Sequence, residues 1–171
     1  DPERYTRNAT IGENILFGVV TDPGLTGERL ASHELVRSIL DAQGLTTFLT
    51  QIGRRIAATM LEIFRDLPAD HVLFEQFSFI SADQFPDYQV ILGRAEAHTL
   101  REGDRSRLIA LAFLYAEPRH RLGLLGEADE VRLLAARRAF RAQASPEIAE
   151  AVAFYGPARY CPAGPLRDDL L

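Results

Sequence analysis

Arg119, His120 and Arg121 form the densest stretch of chemistry in the chain, within Glu117-Pro-Arg-His-Arg-Leu-Gly123. Arginine forks match the oxygens of carboxylates and phosphates, so such a loop can grip an anion, an anionic headgroup or an acidic partner. The same residues also have a plainer use, with Arg119 paired to a nearby acid such as Glu117 and His120 capping a helix end. A second basic group, Arg132, Arg137, Arg138 and Arg141, follows an acidic turn of Glu127, Asp129 and Glu130. Acid first and base last is what the helix dipole favours, so this reads as a solvated helix face, with docking of an acidic partner as the alternative. His33, His71 and His98 are too scattered for a metal site and have no Cys beside them. No nucleophile comes with a base and an orienting group, so no catalytic residue is assigned.

Composition narrows the chemistry further. All 19 basic residues are Arg, so the chain offers neither a phosphate-loop lysine nor a Schiff-base amine. Genome composition is the ordinary cause of such a bias, but the chemical consequence stands. A net charge of −5 opposes non-specific nucleic-acid binding, which needs a positive field. The lone Cys161 excludes an internal disulfide and suits a cytoplasmic setting. No apolar run approaches the ~18 residues of a bilayer span. With no initiator Met and no signal-peptide shape at its start, the chain is expected to be an excised or internal piece, soluble when isolated.

The elements that must carry these residues read as helix after helix. Thr10-Ile-Gly-Glu13 has capping-box form and predicts a helix over about 11–20. Further helices are expected over 28–43 with Gly44 as C-cap, from 46 or 47 to 66, over 70–80 with Asp70 as cap, and over 86–97. Others follow over 105–116 with Asp104 as cap, over 127–142, and from Pro146 to 155 after Ser145. The nearly continuous apolar run Leu108 to Ala116 places its helix at the centre of the core. Phe74, Phe77, Phe79 and Phe85 read as core packing, with an exposed partner groove as the alternative. Phe77–Ile80 and Tyr88–Ile91 are short β-prone runs, and a strand pair of that size is marginal. The fold class is mainly α, a single helical domain of about eight helices with at most a small strand pair.

The two ends of the chain match each other. Residues 1–16 align without gaps on 156–171, with identities at Pro2/Pro157, Arg4/Arg159, Tyr5/Tyr160 and Leu16/Leu171. Chemical matches fall at Ile11/Leu166, Glu13/Asp168, Asn14/Asp169 and Ile15/Leu170. Chance between two Pro/Arg-rich ends is the plain alternative to duplication. Thr10-Ile-Gly-Glu-Asn-Ile-Leu-Phe-Gly18 resembles the segment just after the Q-loop of ABC-transporter ATP-binding domains, usually written T/S-I-x-E-N-I-x-F-G. Glu28 to Leu45 is similar to the helix that follows it there. The resemblance covers roughly 1–50 and 156–171.

That resemblance implies the start of the family's helical subdomain, which faces the coupling helices of the membrane domains. On it, Ile11, Glu13, Asn14, Leu16 and Phe17 are expected to form a coupling interface, and Arg119, His120 and Arg121 a further partner contact. Residues 51–155 become a helical insertion, and 156–171 a second copy of the motif. The departures are equally plain: there is no G-x-x-x-x-G-K-[ST] loop, no Ser-Gly-Gly-Gln signature and no apolar strand ending in Asp-Glu. Phosphoryl transfer needs those parts gathered around the phosphates. The chain is therefore expected to be non-catalytic and to hold no cofactor or metal. ATP and Mg²⁺ would belong to a parent ATPase at the cytoplasmic face of the inner membrane, and the signature would lie beyond Leu171. Its implied partners are transmembrane domains and a paired ATP-binding domain, with a homodimeric parent possible and nucleic acid excluded. A free-standing helical adaptor or small-ligand-binding domain is the alternative, which a pocket near Phe74–Phe85 and Arg119–Arg121 would favour.

Overall fold

At the first helix, α1 (Ile11–Leu16), the Thr10 hydroxyl accepts from the Glu13 N–H at 3.2 Å and the Glu13 carboxylate accepts from the Thr10 N–H at 2.7 Å. Two otherwise unpaired donors are thus satisfied reciprocally. The computed structural model describes residues 1–77 and 79–155, without the side chains of 75–77. The predicted continuation of α1 to Val20 does not form. Phe17 turns into the left-handed region (φ 52°), its N–H bonds the Glu13 carbonyl, and Gly18–Val20 becomes strand β1.

β1 pairs antiparallel with β2 (Val152–Phe154) in the register Gly18↔Phe154, Val19↔Ala153, Val20↔Val152. Both strands fall inside segments predicted to be helical, whereas the β-prone run Tyr88–Ile91 lies in a helix. Gly18 permits the pairing: a Cβ there would lie 2.5 Å from the Ala153 carbonyl oxygen.

The helix predicted over 28–43 is two, α2 (Glu28–Ser32) and α3 (Glu34–Ala42), broken at His33, whose Nδ1 accepts from the Leu35 N–H at 3.2 Å. Gly44 ends α3 as predicted, with φ +64° and the Leu45 N–H on the Leu40 carbonyl at 2.8 Å. Next come α4 (Thr46–Phe64) and α5 (Val72–Phe77). His71, not Asp70, bonds into the start of α5, its Nδ1 accepting from the Leu73 N–H at 3.2 Å. After α6 (Phe85–Glu96), α7 (Glu102–Phe113) begins earlier than predicted, because Asp104 sits inside its first turn and accepts from the Arg101 N–H at 2.9 Å. A short unpredicted α8 (Glu117–His120), α9 (Glu127–Gln143) and α10 (Pro146–Ala151) complete the helices.

Among the described residues the molecule is mainly α with one small antiparallel strand pair. Ten α-helices stand among the described residues where about eight were expected. α7 is the centre, every residue from Leu108 to Phe113 being buried. α4 crosses it, and α1 and α2 also pack on it, while α9 covers α1 and α3. The α4–α7 crossing is close enough that a Cβ on Gly53 would come within 1.9 Å of the Leu108 carbonyl oxygen. Phe64, Phe74 and Phe85 cluster with ring centroids 4.9, 5.2 and 6.5 Å apart, the core role expected of Phe74 and Phe85. No described helix is long and apolar enough to cross a membrane.

Candidate functional site

On α9 the buried residues Leu133, Ala136, Arg137 and Phe140 lie three and four apart, on one side of the helix. Arg137 is thereby carried inward to 1% exposure, against the solvated face expected of it. Arg138 and Arg141 remain exposed and Arg132 is half-buried. The Arg137 guanidinium makes four hydrogen bonds to the N-terminal segment. Nε donates to the Asn14 carbonyl and Nη2 to Asn14 Oδ1, each at 2.7 Å, while Nη1 donates to the carbonyls of Pro2 and Arg4, each at 2.9 Å. Phe17 lies beneath, its ring centroid 4.7 Å from the guanidinium carbon. Carbonyl dipoles and a ring face, rather than a carboxylate, thus hold a buried cation. Burial pulls its pKa below the ordinary arginine range, but a guanidinium stays protonated in proteins.

Asn14 is the other half of this joint and is 1% exposed. Its Nδ2 donates to the carbonyls of Thr6 and Thr10 at 2.9 and 3.0 Å, and its Oδ1 also accepts from the Thr6 N–H at 2.9 Å. Ile11, Leu16 and Phe17 are buried as well, and the Glu13 carboxylate is engaged by the Thr10 N–H. The five residues expected to present a coupling surface therefore face inward or cap α1. A partner reaches four of them only if α1 leaves α7 and α9.

The Arg119–Arg121 loop divides. His120 is half-buried: its Nδ1 accepts from the Ala116 N–H at 2.9 Å, and its ring lies 4.3 Å from Phe79 and 5.4 Å from Tyr115. Burial, followed by the nearby Arg119 charge, lowers its pKa, so the neutral acceptor form is favoured. Arg119 and Arg121 are exposed, and among the described residues neither has a carboxylate partner. The expected Arg119–Glu117 pair is absent because Glu117 is occupied elsewhere. Its carboxylate accepts from the Tyr115 hydroxyl at 2.8 Å and from the N–H groups of Gly123, Leu124 and Leu125 at 2.8, 3.0 and 3.2 Å. Burial alone would raise the Glu117 pKa, but the Tyr115 hydroxyl and these three donors outweigh it and hold the carboxyl below its ordinary range. Tyr115 in turn is pushed up to about 12, by burial and then by Glu117.

Asn14 was marked out by its motif, whereas Arg137 was missed although its spacing from Leu133 and Phe140 carried the signal. Tyr5 has a buried hydroxyl with no hydrogen-bond partner among the described residues. Burial, and then Glu130, raise its pKa. The second motif copy, 156–171, lies outside the described residues. No family model, curated protein or solved structure matches this chain.

Proposed function

We propose that this chain is a non-catalytic helical insertion of an ABC-type ATP-binding protein, one that carries movement of the post-Q-loop-like segment to membrane or partner ATPase domains. The pairing of Gly18–Val20 with Val152–Phe154 carries this reading. The polypeptide leaves the motif on β1 and comes back on β2. The part that starts and finishes at the pair is therefore 21–151, which takes in 28–45 as well as the residues from 51 onward expected of the insertion. The Thr21 N–H on the Ala151 carbonyl and the Tyr155 N–H on the Phe17 carbonyl, both 2.9 Å, close the two ends of the pair. Thr21 and Ala151 are 130 residues apart in sequence. Neighbouring strands lie ~5 Å apart, so the whole excursion starts and finishes in one place. That is what a host domain needs if an insertion is not to stretch it.

The coupling part of the reading is supported by Arg137. Because it holds Pro2, Arg4 and Asn14 from α9, a displacement of the motif segment moves α9 with it. Ile11, Glu13, Asn14, Leu16 and Phe17 would then act through this joint rather than by direct contact. Arg119 and Arg121 would be left for an acidic or anionic partner. ATP, Mg²⁺, the transmembrane domains and a paired ATP-binding domain belong to the parent in this reading.

The test is twofold. Incubation of the 171-residue chain with Mg-ATP is expected to release no phosphate above the buffer blank. Turnover that a point substitution in this chain abolishes would overturn the proposal. In the parent reading frame a phosphate loop is expected before Asp1 and a signature after Leu171, and their absence would remove the transporter assignment.

A further inference from the structure

Arg54 and Arg105 share a cleft that no carboxylate of the described residues enters. It measures about 350 Å³ and opens between the first half of α4 and the corner joining α6 to α7. Thr47, Gln51 and Arg54 line it from α4, being four and three residues apart and so on one helix face. Arg105 lines it from α7, and Ala95 and Leu100 give it an apolar side. No Asp or Glu is among its lining residues, in a chain whose net charge is −5. By contrast, Arg7, Arg37, Arg94, Arg107, Arg132 and Arg138 each stand beside a carboxylate. Arg54 and Arg105 have no such partner among the described residues, and neither do Arg119, Arg121 and several others, so it is the shared cleft that sets this pair apart.

We propose that this cleft binds a phosphate-class oxyanion, carried either by a small soluble molecule or by a lipid headgroup. The proposal does not depend on the insertion reading. Two guanidinium forks offer paired N–H donors that match phosphoryl oxygens, and a dianion uses both charges where a simple carboxylate uses one. The Thr47 hydroxyl and the Gln51 amide add donors that need no counter-charge. No acid of the described residues is in the lining, and the carboxylate bonded to a lining residue, that of Asp41, is engaged by the Thr46 hydroxyl rather than by either fork. The Ala95–Leu100 side suits the organic part of such a ligand, and the volume fits the range of small-molecule sites.

The experiment titrates the full chain with inorganic pyrophosphate at low salt, followed by calorimetry and by the arginine Nε–H signals of a ¹⁵N spectrum. A parallel arm measures co-sedimentation with phosphatidylcholine vesicles, with and without phosphatidic acid. Single-site binding is expected, weakened at least ~tenfold by Arg54→Gln or Arg105→Gln. Gln51→Glu keeps both arginines and brings a carboxylate to them, and it is expected to abolish binding while leaving the thermal midpoint in place. Arg29→Gln with Arg65→Gln removes two exposed charges elsewhere and is expected to leave binding unchanged. Pyrophosphate binding with this pattern identifies a soluble phosphate source. Binding confined to phosphatidic-acid vesicles, with the same pattern, identifies a headgroup. Binding in neither arm, or binding that falls equally in the Arg29/Arg65 variant, overturns the proposal.

Discussion

Arg137 Nη2 donates to Asn14 Oδ1 at 2.7 Å, joining two buried side chains 123 residues apart in sequence. Its Nε donates to the Asn14 carbonyl, one of the carbonyls at the end of α1 that has no partner inside the helix. A cation placed there suits the helix dipole as well as the orphan oxygen. One side chain thus ends α1, holds the residues before it and ties both to α9.

Replacing Arg137 by Met is expected to cost ~3–5 kcal/mol, because it leaves buried carbonyl oxygens unpaired. Asn14→Ala is expected to cost less, and the two together less than their sum. The shortfall should be ~1–3 kcal/mol, as for residues sharing one buried network. Urea unfolding of the four proteins measures it. Additive losses would mean that Arg137 works mainly through the main-chain carbonyls of Pro2, Arg4 and residue 14, all of which Asn14→Ala leaves in place.

Two helix-interior glycines should respond to Ala in opposite directions. At an open helical site the change stabilises by ~0.5–1 kcal/mol, and a Cβ on Gly93 of α6 meets nothing within 4 Å. On Gly53 of α4 it would overlap the Leu108 backbone, forcing α4 and α7 apart at a cost of ~3 kcal/mol or more. At ~2–4 °C per kcal/mol for a chain of this size, thermal melts separate the two readily. A rise for Gly53→Ala would mean that the crossing is looser than described.

The sequence made local features legible and left the long-range ones hidden. The Thr10–Glu13 box, the Gly44 cap, the start of α10 at Ser145-Pro146 and the central apolar helix are all set by neighbours within a few residues. The β1–β2 pair depends on partners far apart in sequence. Val19, Val20, Val152 and Phe154 therefore read as helical continuations until the fold brought them together. The break at His33 carries no Pro or Gly to announce it. Arg137 was hidden for another reason. Charge pattern and apolar period disagreed at that position, and the period, which places it with Leu133 and Phe140, describes the structure. The Glu117 cradle was invisible because its donors are backbone N–H groups of the following loop.

Acid should loosen the α8 loop in two stages. His120 has a folded pKa below its unfolded value, so its contribution is full above the ordinary imidazole range and is lost as pH falls through the lowered folded value. The Glu117 pKa is likewise depressed by folding. Its contribution is present above the ordinary carboxylate range and is lost as pH falls through a value lower still. Exchange of the Gly123 and Leu124 amides, both bonded to Glu117, should accelerate in that second window. Glu117→Gln should be less stable than the parent at neutral pH, and the difference should shrink in acid. A gap that persists unchanged into strong acid would show that the carboxylate charge is not what holds the loop.

The strand pair at the neck can be opened without dismantling the core. Valine at Gly18 would place its Cβ 2.5 Å from the Ala153 carbonyl oxygen and 2.9 Å from the Phe154 Cα, so the partner backbone has to retreat. The strain expected from such overpacking is ~1–3 kcal/mol, on the order of a 5–150-fold increase in local opening. Amide exchange at Thr21 and Tyr155, whose N–H groups bond Ala151 and Phe17 across the neck, should speed up by that factor. Amides of Ile56 and Leu111, buried at the α4–α7 crossing, should keep their protection. That split is what a helical body on a separable two-strand stem gives. If the core amides lose protection in step with Thr21 and Tyr155, the strands belong to one cooperative unit with the helices, and the insertion reading loses its neck.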